Sequence, residues 1–180
     1  MKQFLFSFIS FSLLTACNNS SPGTETSAPS KDSTSSASIS YPYTASYSSQ
    51  FEIGEPSNAK LVLDLWKDWE NNTLDEHSNL FADTVTFFFH DGSVLKTSRD
   101  SLIAIGKKER AKYSSVKDDV QAWIPANSKD KNEKWVLVWG HNISTKEGKT
   151  DSLDLQETWL IKDGKASVIY QYARKFGPQK

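Results

Sequence analysis

Two hydrophobic periods divide the foldable part of this chain, and their order restricts it to one class of fold. Between residues 57 and 113 apolar side chains recur at helical spacing. Leu61, Leu65, Trp66 and Trp69 share one helix face, and Leu102, Ile103 and Ile105 supply part of another. From residue 116 onward the period falls to two, and residues 116–124, 135–143, 153–161 and 168–176 read as strands. Pro125 ends the first of them, a charged turn follows at 127–133, and Glu147-Gly148 and Asp163-Gly164 mark tight turns. Local signals punctuate the first half. Glu55-Pro56-Ser57 predicts a helix start capped by Ser57, and Thr73-Leu74-Asp75-Glu76 resembles a capping box opening a short helix through Phe81. Residues 85–90 are β-branched and aromatic, hence a strand, and Thr97 with Asp100 signals a helix over about 98–113. Helices first and an antiparallel sheet afterwards predict an α+β domain.

The first forty residues belong to neither period. Met1-Lys2-Gln3 is followed by residues 4–14, apolar except for Ser7, Ser10 and Ser12. That run is too short for a bilayer, which takes about 20 residues, and has the length of a signal-peptide apolar region. It ends in Leu14-Thr15-Ala16-Cys17, which resembles a bacterial lipobox. The resemblance implies cleavage before Cys17, palmitate-type acylation at Cys17, and a place in the bacterial cell envelope on a membrane. Residues 18–40 are dominated by Ser and Thr and cannot bury enough surface to offset the entropy of ordering. The expected organisation is a signal segment over 1–16, a lipid-anchored linker over 17–45 and a folded domain over 46–180. Residues 41–53, with Tyr47, Phe51 and Ile53, are expected to lie as an extended arm against the domain.

Lys and Arg number 21 against 22 Asp and Glu, so no excess of positive charge favours a nucleic-acid partner. Cys17 is the single cysteine, which excludes an intrachain disulfide. No CxxC, paired His/Cys or Gly-rich phosphate loop is present, so neither a metal nor a cofactor is expected.

The order of these elements resembles the nuclear transport factor 2-like superfamily and its SnoaL-like branch. The resemblance is carried by Trp66-Lys67-Asp68-Trp69 closing the first helix, by Leu80-Phe81-Ala82-Asp83-Thr84-Val85 entering a strand, and by the final hairpin from Thr158 to Lys165. It implies a cone, also called cystatin-like: a curved antiparallel sheet wrapped around N-terminal helices, with a pocket at the open end. Dimerisation through the outer face of the sheet is common in that family. Its ketosteroid isomerases use a carboxylate base, a helix Tyr and a protonated acid on a late strand. The resemblance carries these positions to Phe89, Leu65 and Glu157, and the first two cannot move a proton.

A different constellation is open. Alternation groups Trp135, Leu137, Trp139, His141 and Ile143 on one strand face, which the resemblance makes the concave one. His141 and Glu157 would then form an acid–base pair, or simply satisfy each other, beneath pocket walls from Leu65, Trp69, Phe89, Trp139 and Trp159. The remaining polar residues have plainer readings. Adjacent His90 and Asp91 begin a turn, His77 is exposed, and Asp64 and Asp68 lie on a solvated face beside Lys60 and Lys67. The expected function is a membrane-anchored module that binds a small hydrophobic ligand or a partner protein. An isomerase, cyclase or hydrolase using Glu157 and His141, and a structural envelope subunit, are the alternatives.

Overall fold

Pro56 opens the first helix, α1 (Pro56–Asn71), from the position where its missing N–H costs nothing. Glu55, rather than Ser57, is the flanking cap residue. Asn72 closes the helix in the left-handed conformation, at φ 63°, and its N–H meets the Asp68 and Trp69 carbonyls. The structure, a computed structural model, describes residues 39–175, and those from Tyr43 onward belong to one unit. Cys17, the signal segment 1–16 and the linker up to residue 38 lie outside the described residues.

The predicted short helix after α1 is instead a turn and a single 3₁₀ turn, Ser78–Leu80. The cause is Asp68, which is 4% exposed and does not belong to a solvated face. Its carboxylate accepts from Thr73 Oγ1 at 3.2 Å and meets His77 Nδ1 at 2.9 Å, closing the loop on itself. Arg110 secures the same end of α1. Its guanidinium, buried at the end of α2 (Arg99–Arg110), donates to the carbonyls of Trp69 (2.8 Å), Glu70 (2.8 Å) and Tyr113 (3.0 Å). A cation here also faces the negative pole of the α1 dipole. Ser98 caps α2, with its hydroxyl accepting from the Ser101 N–H.

Among the described residues seven strands form one sheet: β1 (Phe51–Ile53), β2 (Phe81–Phe88), β3 (Val94–Ser98), β4 (Ser115–Ser128), β5 (Glu133–Lys146), β6 (Lys149–Lys162) and β7 (Lys165–Lys175). Their spatial order is β1-β4-β5-β6-β7-β2-β3. Every neighbouring pair is antiparallel except β2 with β7, so the curved sheet is mixed. The strands run longer than alternation alone indicates. β4 continues through Pro125, whose carbonyl accepts from the Gly54 N–H at 2.9 Å. The missing proline donor therefore falls on the β1 side, and pairing with β5 is unbroken. The arm before β1 is pinned to the β4–β5 turn: Tyr47 donates to Glu133, and Trp135 Nε1 donates to Tyr47 at 3.1 Å.

One face of the sheet is buried under α1. On β5 that face carries Val136, Val138, Gly140 and Asn142, each buried. The large residues Trp135, Leu137 and Trp139 do share a face, but it is the opposite, outer one, which reverses the concave placement that the resemblance implied. The physical reason is close approach. A Cβ built on Gly140 would sit 2.8 Å from Cζ3 of Trp66 and 3.2 Å from the Asp119 carbonyl oxygen. The helix lies too near for bulky side chains, so β5 turns its small and β-branched residues inward. Gly140→Val is expected to lower unfolding free energy by about 1–3 kcal/mol through overpacking. Denaturant midpoints of the full-length chain test this, and an unchanged midpoint would contradict the contact.

Candidate functional site

A cavity of about 330 Å³ opens between α1, α2 and the inner face of the sheet. Its walls are mostly apolar. Leu65 and Trp69 come from α1, Phe87 from β2, Phe89 from just beyond its end, Leu102 and Ile103 from α2, and Leu155 and Trp159 from β6. The Phe87 and Phe89 rings stack with centroids 4.3 Å apart. Strand alternation explains the set, since β2 and β6 each send every second residue inward.

Glu157 lies in the floor of this cavity and is 6% exposed. Its Oε2 accepts from Trp66 Nε1 at 2.7 Å and from Trp159 Nε1 at 3.0 Å, and its Oε1 accepts from Gln171 Nε2 at 2.9 Å. Burial pushes the Glu157 carboxyl above the usual carboxylate range. The three donors oppose the rise, and the nearby Asp118 charge adds to it. The chain of bonds continues outward. Gln171 has spent its amide N–H on Glu157, so its Oε1 must accept from His90 Nδ1, 2.9 Å away. His90 thus carries a proton on Nδ1. His90 therefore belongs to the cavity as well as to the turn after β2.

A second polar group stands apart from Glu157. Asp118 on β4 and Asn142 on β5 are paired across the ladder, and Asn142 Nδ2 donates to Asp118 Oδ1 at 2.6 Å. Both line the cavity with Ser144. Burial raises the Asp118 carboxyl too, the Asn142 bond opposes this, and the Glu70 charge adds to the rise.

Of the residues singled out in the sequence, Leu65, Trp69, Phe89, Trp159 and Glu157 line the cavity, whereas Trp139 and His141 do not. His141 and Glu157 cannot form the acid–base pair. The two-residue turn Glu147-Gly148 sets Lys146 opposite Lys149, and in that register Val138 faces Glu157 while His141 faces Asp154. Facing residues share a side of the sheet, so His141 and Glu157 are on opposite sides. On the outer face His141 Nδ1 lies 3.2 Å from Asp154 Oδ1, and Asp154 also accepts from Arg174. Hydrogen bonds from Arg174 first, and then from His141, hold the Asp154 carboxyl below its ordinary value.

Asp118, Asn142, Gln171 and His90 were not foreseen as site residues. Alternation holds a signal for the first: within the predicted strand 116–124, Lys117 and Asp119 share one face, which places Asp118 on the other. Gln171 carried none, because its inward side depends on a register shift between Leu160 and Ile161. Among the described residues no group of three or more His, Cys, Asp or Glu is placed to hold a metal ion.

No family model and no curated protein sequence matches the chain. Solved structures do. An LEH-like epoxide hydrolase of M. tuberculosis superposes with a TM-score of 0.57 at 9% identity, over 66% of this chain and 84% of that one. A protein named as a SnoaL-like polyketide cyclase from Shewanella denitrificans gives 0.56 at 11% identity, over 67% and 92%. A nuclear transport factor 2-like protein of unknown function from Burkholderia pseudomallei gives 0.54 at 16%, over 66% and 91%. The domain has the nuclear transport factor 2-like fold, in the form shared with SnoaL-like proteins. Such identities establish the fold and leave activity to the site itself.

Glu157 gives this site a pH signature. Its folded-state affinity for a proton exceeds that of the unfolded chain, so the folded state binds more protons just above the ordinary carboxylate range. Stability must then fall as pH rises from that range through the raised value. Glu157→Gln is expected to remove this decline. Urea midpoints of both chains across pH 4–8 give the difference curve, and parallel curves would contradict a raised Glu157.

Proposed function

We propose that this chain is a lipid-anchored envelope protein whose domain holds a small hydrophobic ligand in the cavity beneath α1. The observation that carries this reading is the cavity itself: about 330 Å³, walled by aromatic and aliphatic side chains, with its polar groups confined to a few positions. Small-molecule sites have this composition, a mostly apolar wall and a small number of placed polar groups. A SnoaL-like enzyme built on His141 and Glu157 is not proposed, because the sheet separates the two residues. Glu157 alone is a poor general base, since both its oxygens already accept hydrogen bonds inside the protein.

Binding is expected to fail when the cavity is filled from its wall. Leu102→Trp should lower the affinity of a neutral fluorescent probe such as N-phenyl-1-naphthylamine by at least tenfold in the full-length chain. Equal binding by both chains would contradict the cavity as the site.

The anchor rests on Leu14-Thr15-Ala16-Cys17 and on the Ser/Thr-rich stretch after it. Buried acyl carbons contribute about 0.8 kcal/mol per CH₂, so two or three chains hold a protein firmly on a bilayer. Cys17→Ala is expected to abolish acylation and release the chain from the membrane fraction. Intact-mass measurement and fractionation test this. Unmodified Cys17 in the native chain would overturn the anchor and leave the cavity reading untouched.

A further inference from the structure

The polar end of the cavity has an unmatched chemistry. Asp118 uses Oδ1 to accept from Asn142, and no protein group among the described residues donates to its Oδ2. Asn142 has given an amide N–H to Asp118, and among the described residues no protein group donates to its own Oδ1. Two acceptors of this polar end are therefore left over, and the wall offers them only neutral donors, such as the Ser144 and Tyr113 hydroxyls and the Trp69 indole N–H. Glu157 is different, since three donors already satisfy it.

The cavity supplies no positive charge to answer this. Among the described residues no Lys or Arg lines it. The nearest cations act on Asp118 from outside the wall and are committed elsewhere. Lys67 pairs with Glu70 at 2.8 Å, and Arg110 is spent on the carbonyls of Trp69, Glu70 and Tyr113. Glu109, the other acid on the wall, is bound by Lys112 at 2.6 Å. Trp69 and Tyr113 also line the cavity, and aromatic rings of this kind attract cations over their faces.

We propose that the cavity selects a hydrophobic amine, with the protonated nitrogen donating to Asp118 Oδ2 and Asn142 Oδ1 and the apolar body among the aromatic walls. An ammonium brings three donors and one positive charge, which is what this pair of acceptors lacks. A carboxylate or phosphate would meet acceptors and like charge. Asp118 is half-buried in the wall, and that burial disfavours its charged form when no cation is near. A bound cation offsets that cost, and charged hydrogen bonds of this kind are worth about tenfold or more in affinity.

This inference rests on the cavity being a ligand site, and the test separates the two. Calorimetric titration of the full-length chain at pH 7.5 compares 3-phenyl-1-propylamine, 3-phenyl-1-propanol and 3-phenylpropionate. The expected order is amine first by at least tenfold over the alcohol, with the propionate weakest. Asp118→Asn should bring the amine-to-alcohol ratio close to one. If the alcohol binds as tightly as the amine in the native chain, amine selection is overturned and the apolar-ligand reading stands. If the propionate binds best, amine selection is overturned likewise. If none of the three binds, both are overturned. The ranking in the native chain decides by itself should Asp118→Asn fail to fold.

Discussion

Trp66 is the piece on which the rest of this domain depends. Its ring enters the space left by the missing side chain of Gly140, and its indole N–H reaches Glu157. The first contact lets α1 lie close to β5; the second ties the helix to β6. Together they fix the height of the helix above the sheet, and that height determines whether a hollow remains. A carboxylate is an expensive way to make this tie, since burial alone would favour its neutral form. The arrangement survives because Trp159 and Gln171 add their own donors to the same group. Glu157 is accordingly better understood as a positioning group for the floor than as a reacting one.

Much of the fold was legible in the sequence because its signals were periodic. The amphipathic stripe through Leu61, Leu65 and Trp66 and the alternation of Leu155, Glu157 and Trp159 each specify one buried face. Structure and sequence agree there, with Leu61, Leu65, Trp66, Glu157 and Trp159 all buried. β5 was harder, because both of its faces are apolar. Trp135, Leu137 and Trp139 look like a core stripe by size, yet the core side is Val136 and Val138, both 0% exposed. Hydrophobicity does not choose between two apolar faces; the approach of a neighbouring helix does. One local cue pointed the right way. A two-residue turn at Glu147-Gly148 puts odd positions of β5 beside even positions of β6, so His141 and Glu157 cannot share a side.

The polar members of the site were less legible, and for a different reason. Arg110, Asp118 and Gln171 act through contacts with residues remote in the chain, and a single charged or amide residue carries no periodic signature. Arg110 answers carbonyls at the end of α1, some forty positions earlier. Gln171 points at Glu157 only because the β6–β7 ladder shifts by one residue after Leu160. Such features are set by the assembled sheet, not by any short segment of it. The cavity therefore combines an apolar wall readable from pattern with a polar end that only the three-dimensional arrangement discloses.

The most direct test of this account is a double-mutant cycle between Trp66→Phe and Glu157→Gln, measured as unfolding free energy. A buried charge-assisted hydrogen bond between the two predicts a coupling of about 1 kcal/mol or more. Additive effects, within about 0.3–0.5 kcal/mol, would mean that the indole and the carboxylate do not meet, and the hollow beneath α1 would lose its support.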